Sequence, residues 1–322
     1  MLSRAASNIY WMQRYRERAE NIARLIDVNH ILNIDLPDSE TQWQPILEAT
    51  ADLESFNTFY KTLNKENVMH FLTFNTNNPH SIFNCVTQAR ENARSIREII
   101  SSETWHEINT LYLFMQAGSS DPHALLDPYA FYNRIKRQCQ LFNGIVDGTW
   151  SRGKAWHFSR IGCLLERADM TSRMVDVKYF MLLPSTEQVG TQFDNVQWSA
   201  LLKSASALEM YRKKWRQINH INVVEFLILD AEFPRSIYYC LMELKDSLEA
   251  IKQVTKNPRA NDPCILLSDL ITRLNTLDGT SILASGLHEF LDQIQLEIIN
   301  INDNITTSFF ETSSRTHESL YV

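Results

Sequence analysis

The stretch ERAENIARLIDV (Glu17–Val28) returns, half changed, as ERADMTSRMVDV (Glu166–Val177). Six of the twelve positions are identical, and four of the six carry charge: Glu17/Glu166, Arg18/Arg167, Arg24/Arg173 and Asp27/Asp176. A second block, VMHFLTFNTNNPHSIFNCV (Val68–Val86), aligns without gaps to VVEFLILDAEFPRSIYYCL (Val223–Leu241) with seven of 19 positions identical. Gln42-Trp43 likewise matches Gln197-Trp198. The offset is 149 in the first block and 155 in the other two, which puts six extra residues in one loop, read as PSTEQVGTQFDN after Leu183. Self-similarity at a fixed spacing is the mark of a repeated structural unit. The chain therefore reads as an internal duplication of a unit of roughly 150 residues, 1–150 and 151–322, interpacked in one bundle-like domain.

Both copies carry helical patterning. Val68, Phe71 and Leu72, matched by Val223, Phe226 and Leu227, recur at i, i+3, i+4, one face of a helix. Only eight glycines and nine prolines interrupt 322 residues. Asp127-Pro128 has the form of an N-cap followed by proline at the first helical position, and Ser102 caps the run ETWHEINTLYLFM. Pro184, NTNNP, AGSSDP and NPRANDP read as loops, and the polar tail after Phe310 as frayed. The expectation is an all-α fold of about ten helices and no sheet.

The overall balance excludes several classes. A net charge of −7 lacks the basic footprint of a nucleic-acid binder. No run approaches the roughly 18–20 apolar residues of a membrane span. The start, MLSRAASNIYWMQRYRERAE, threads arginines through its apolar residues, unlike a secretory signal. Five scattered cysteines without a Cys-x-x-Cys pair favour reduced thiols in a cytoplasmic setting, with neither disulfides nor zinc.

On a helical wheel, Glu17, Glu20, Arg24 and Asp27 fall within an arc of roughly 80°. Glu166, Asp169, Arg173 and Asp176 repeat the stripe, and Tyr15, Ala19, Ile22 and Ile26 lie opposite the first copy. Arg18 and Arg167 sit on the flank of the apolar face, where a charge needs a partner. Three readings are open. The stripe is a solvated face; or the two Glu-Arg helices cross, with Arg18 and Arg167 pairing with acids across the contact; or the charges line a cleft for a ligand or peptide carboxylate. A further stripe, Arg90, Arg94 and Arg97 with Glu91 and Glu98, lacks a matching set in the second copy, which has Lys245, Glu249 and Lys252. It reads either as a specialised polar surface or as a solvated set of ion pairs.

Some motifs fail. GTWSRGKA (Gly148–Ala155) approaches a phosphate-binding loop, but Ala155 cannot supply the magnesium-ligating hydroxyl and the preceding segment is helix-patterned, so it reads as a helix–helix loop. Glu103-x-x-His106 is half of a di-iron signature with no second half. YRKKWRQ (Tyr211–Gln217) reads as an exposed helix end, and Cys85 and Cys240 as core cysteines. No cofactor or metal is expected.

MLSRAASNIYWMQRYRERAENIARLIDVN, QARENARSIREIISSETWHEIN and GKAWHFSRIGCLLERADMTSRMVDVKY, in that order, resemble the alpha-E domain family, a bacterial all-helical family of unknown function named for its Glu-Arg motif. By position, the resemblance assigns the motif to Glu17, Arg18 and Glu20, then Arg90, Glu91, Asn92, Arg94, Trp105 and Asn109, then Trp156, Glu166, Arg167 and Asp169. FPRSI (Phe233–Ile237) also resembles the family, and its counterpart NPHSI has His80 in place of Arg235. The resemblance implies company with circularly permuted ATP-grasp and transglutaminase-like proteins in peptide or amide-bond synthesis and modification. The expected role is a non-catalytic or accessory partner. The rival is an enzyme whose Glu/Arg cleft acts on a peptide or carboxylate substrate.

Overall fold

Fifteen α-helices and no strand occur among the residues described by the computed structural model, 1–35, 43–182, 192–255 and 261–311. They are α1 (Ser3–Asp35), α2 (Gln44–Ala49), α3 (Leu53–Phe59), α4 (Lys65–Thr73), α5 (Ile82–Arg94), α6 (Ser102–Ser119), α7 (Pro128–Thr149) and α8 (Lys154–Leu182). Then follow α9 (Gln192–Ser204), α10 (Leu208–Lys214), α11 (His220–Leu229), α12 (Ile237–Thr255), α13 (Asn261–Leu274), α14 (Gly279–Ala284) and α15 (Leu287–Phe309). The all-helical expectation stands, but about ten helices is too few. The sequence reading missed short pieces such as α2, α3 and α14, of six or seven residues each. Under two turns, a helix is too short to display its 3.6-residue period.

Several local signals hold. Val68, Phe71 and Leu72 are fully buried on α4, and Val223, Phe226 and Leu227 are buried on α11. Asp127 accepts a hydrogen bond from the Ala130 backbone N–H at 3.0 Å and Pro128 opens α7. Others shift. Ser101, not Ser102, caps α6, accepting from the Thr104 N–H at 3.3 Å. Helix α6 continues to Ser119, and α13 begins at Asn261, so the AGSSDP and NPRANDP loops are shorter than expected. Helix α5 stops at Arg94, which leaves Arg97 and Glu98 beyond its end. Of PSTEQVGTQFDN, residues 184–191 lie outside the described residues and Gln192 onward belongs to α9; the tail from 312 also lies outside.

Two long helices make the centre. Helix α1 packs against α8, α5 and α7, and α8 packs also against α12 and α15. Gly162 marks the close approach of α8 to α1: a Cβ there would stand 2.3 Å from the Tyr10 carbonyl oxygen. One continuous cluster of buried apolar side chains extends from Ala6 on α1 to Phe309 on α15. Helix α1 is buried on both of its faces. Ile22 and Ile26 are buried on one, and Glu17 and Glu20, at 0% exposure, on the other. This overturns the solvated-face reading of the charged stripe: burying those charges demands partners.

Candidate functional site

The partners come from the other central helix. Glu17 on α1 accepts from Arg167 on α8, Nε to Oε1 at 2.8 Å and Nη2 to Oε2 at 3.1 Å. Glu166 on α8 accepts from Arg18 on α1, Nε to Oε1 at 2.6 Å and Nη2 to Oε2 at 3.0 Å. Each glutamate is thus held by the arginine of the other Glu-Arg dipeptide, in the two-pronged geometry that a planar guanidinium offers a carboxylate.

More arginines complete each carboxylate. Arg14 Nε donates to Glu166 Oε2 at 2.8 Å, and its Nη1 reaches Asn302 Oδ1 on α15 at 2.7 Å. Arg16, fully buried, lies 2.8 Å from Glu17 and donates to Glu20 at 2.7 Å. Arg235, just before α12, donates to Glu17 Oε1 at 3.1 Å, Asn21 Oδ1 at 2.8 Å and Glu20 Oε1 at 2.9 Å. Arg24 donates to Glu20 and, through Nη1, to the Ser206 hydroxyl. The Cys163 thiol donates to Glu17 Oε2 at 3.3 Å.

Burial alone would raise both glutamate pKa values. The guanidinium charges override it. Arg167, Arg16 and Arg235 hold Glu17 well below the usual carboxylate range, and Arg18 and Arg14 bring Glu166 to about 2. Burial, against the pull of nearby Arg167 and Arg16, raises the Cys163 thiol, so it is no ready nucleophile. Cys85 and Cys240 are buried, and burial pushes each thiol to about 12.

The remaining candidates sit elsewhere. Asp27 accepts from Lys136 of α7 at 2.6 Å, and Asp176 pairs with His288 of α15 at 2.8 Å. Arg173 Nε donates to Asp169 Oδ2 at 3.0 Å beside the Glu166 cluster. Arg90, Glu91 and Arg94 form a separate partly exposed group, with Arg90 Nε on Asn109 of α6 at 2.8 Å and its guanidinium 4.4 Å from the Tyr112 ring centre. They do not join the crossing. Sequence reasoning left Arg14, Arg16 and Asn302 out of the cluster. The arginine alternation in QRYRER was a signal for the first two; Asn302, 288 residues from Arg14, had none.

The model of the Alpha-E family, described as "A predicted alpha-helical domain with a conserved ER motif", matches residues 1–310. The chain belongs to the Alpha-E family. Uncharacterized proteins of Mycobacterium bovis and of Mycobacterium tuberculosis strains CDC 1551 and H37Rv are each 22% identical over 335 residues. Those alignments cover 95% of this chain and 36% of each relative, so this chain spans about a third of their length. No solved structure matches. In this Alpha-E chain both Glu-Arg dipeptides, 17–18 and 166–167, lie at the crossing of α1 and α8. No described helix is long and apolar enough to cross a membrane.

Proposed function

We propose that this Alpha-E chain is a non-catalytic, accessory helical protein of a peptide or amide-bond synthesis or modification system, acting with ATP-grasp-like partners. The observation that carries the non-catalytic part is the state of Glu17 and Glu166. Both are fully buried and ionised, and every carboxylate oxygen is occupied by a protein donor. A general acid or base needs access to substrate and a pKa near the working pH. These two groups have neither. The partner part rests on the family resemblance.

The reading includes a duplicated origin for residues 1–150 and 151–322. The reciprocal pairing of Arg18 with Glu166 and of Arg167 with Glu17 supports it. So do the helix starts: 155 residues separate α3 from α10, and α5 from α12.

The test is co-expression with a circularly permuted ATP-grasp protein. The expected result is a stoichiometric complex, with ligation by the partner enhanced by this chain and retained when Glu166→Gln is introduced. An amide-forming or amide-cleaving activity of this chain alone, abolished by Glu166→Gln in a variant whose urea unfolding stays cooperative, would establish the enzyme reading instead.

A further inference from the structure

The two Glu-Arg clusters differ in how completely their space is filled. The 149-residue offset sets Glu20 against Asp169 and Arg24 against Arg173, and the 155-residue offset sets Ser206 against Ala51 and Arg235 against His80. Ala51 and Ser206 share a left-handed backbone, with φ of 58° and 52°. On the Glu17 side, Arg235 reaches Glu17, Asn21 and Glu20, and the Ser206 hydroxyl accepts from Arg24. On the Glu166 side each counterpart falls short. His80 turns to Asp52, Nδ1 to Oδ1 at 2.9 Å. Ala51 has no hydroxyl, and Asp169 is one methylene shorter than Glu20.

What results is a cleft of about 170 Å³, with Arg14, Arg18 and Arg173 in its walls beside apolar Ile22, Ile298 and Ile299. Among the described residues, Arg14 Nη2, Arg18 Nη1 and both Nη atoms of Arg173 have no hydrogen-bond partner. Asp169, 8% exposed, keeps one oxygen, Oδ1, without a donor. With His80 turned to Asp52, three guanidinium groups face two carboxylates, Glu166 and Asp169, so the arginines outnumber the acids by one.

We propose that this cleft binds the carboxylate of a small molecule or chain end with an apolar tail, held by the free N–H groups of Arg18 and Arg173. A single carboxylate matches that excess of one arginine, whereas a phosphate dianion carries a second charge beside Glu166 and Asp169. The guanidinium fork matches a planar carboxylate. The volume is near the roughly 150 Å³ of a cavity that accepts a benzene-sized ligand, and the isoleucines offer an apolar wall. A free amino acid, the C-terminal residue of a peptide and a simple branched acid share this chemistry. They differ in the N–H beside the carboxylate, for which Asp169 Oδ1 is an open acceptor. The proposal stands apart from the partner reading above.

Isothermal titration of the full chain with L-leucine, N-acetyl-L-leucine, 4-methylpentanoate, leucinamide and inorganic phosphate tests it. At least one of the three carboxylates binds with a Kd on the order of 1 mM or tighter. Leucinamide and phosphate bind at least about tenfold more weakly, and Arg173→Gln weakens the carboxylate at least about tenfold. Arg152→Gln, which breaks an exposed pair with Asp147 outside the cleft lining, leaves affinity unchanged. Ile299→Trp, at an exposed wall position, blocks binding and serves where Arg173→Gln does not fold. Preference for leucine marks a free amino acid as the source, preference for N-acetyl-leucine a peptide terminus, and equal binding of 4-methylpentanoate a simple acid. Failure of all three carboxylates to bind, equal binding of leucinamide or phosphate, or binding unchanged by Ile299→Trp overturns the proposal.

Discussion

Arg18 follows Glu17 in the chain but binds Glu166, 2.6 Å from its Nε to Oε1. Glu17 is bound in turn by Arg167, at 2.8 Å. The two Glu-Arg dipeptides are therefore cross-tied. Helix α8 buries Glu166 only against arginines of α1, and Glu17 draws Arg167 from α8 beside Arg16 and Arg235, because a buried carboxylate left unpaired is costly. Their charge is kept as a mutual requirement between two halves of the fold, in the region where Gly162 lets the two backbones close up.

Removing one strand of the tie exposes its role. Arg167→Ala leaves Glu17 with Arg16 and Arg235 only. Removing one charge-assisted partner from a buried carboxylate that keeps two others costs about 1.5–3 kcal/mol. Urea unfolding is expected to show that loss in a still cooperative transition. A loss under about 1 kcal/mol would mean that the pairing does not support the fold.

Acid should act through the same carboxylates. The Glu166 pKa falls from an ordinary 4.5 to about 2 in the fold, under Arg18 and Arg14 that together overcome burial. A depressed folded pKa contributes stability that is complete above the unfolded value and is lost as pH falls through the folded one. For Glu166 the window is pH 4.5 down to about 2, and the loss about 3 kcal/mol. Glu17 shifts in the same direction and adds to it. Urea midpoints followed from neutral pH to pH 2 should fall more steeply for wild type than for Glu166→Gln. Equal slopes would contradict the assigned ionisation.

Gly162→Ala tests the helix crossing without touching a charge. The new Cβ would meet the Tyr10 carbonyl oxygen at 2.3 Å, so a backbone must shift. Overpacking of this kind costs about 1–3 kcal/mol. Thermal unfolding is expected at a lower temperature, whereas Gly144→Ala, with open space around its Cβ, should not lower it.

Ala51 holds a φ of 58°, a conformation that costs an L-residue roughly 1–2 kcal/mol. Ala51→Gly relieves that strain at a smaller cost in chain entropy. A net gain of about 0.5–1 kcal/mol in urea is expected. A loss would show that the Ala51 methyl packs more than its exposure indicates.

How far the sequence carried depends on which property each residue revealed. The faces of α4 and α11 were legible because apolar spacing reports burial directly. The Asp127 cap was legible because its chemistry is local, while Ser101 and Ser102 offer the same hydroxyl one residue apart. The crossing of the Glu-Arg helices was one of three readings, since charge on a wheel does not say whether it faces water or a partner. Flanking arginine geometry decides that, and it is visible only in three dimensions. Asp27 and Asp176 share the stripe but turn to Lys136 of α7 and His288 of α15, which meet α1 and α8 at those positions. Arg90, Glu91 and Arg94 lie on α5 near its C-terminal end, where α6 supplies Asn109, a placement that no local pattern could give.

The most direct measurement is a pair of double-mutant cycles in urea, one crossing Arg18→Met with Glu166→Gln and one crossing Arg18→Met with Glu17→Gln. The cross-tie predicts a coupling of about 1.5–3 kcal/mol for the first and under about 0.5 kcal/mol for the second. A first cycle with no coupling, or a second that exceeds it, would contradict the account.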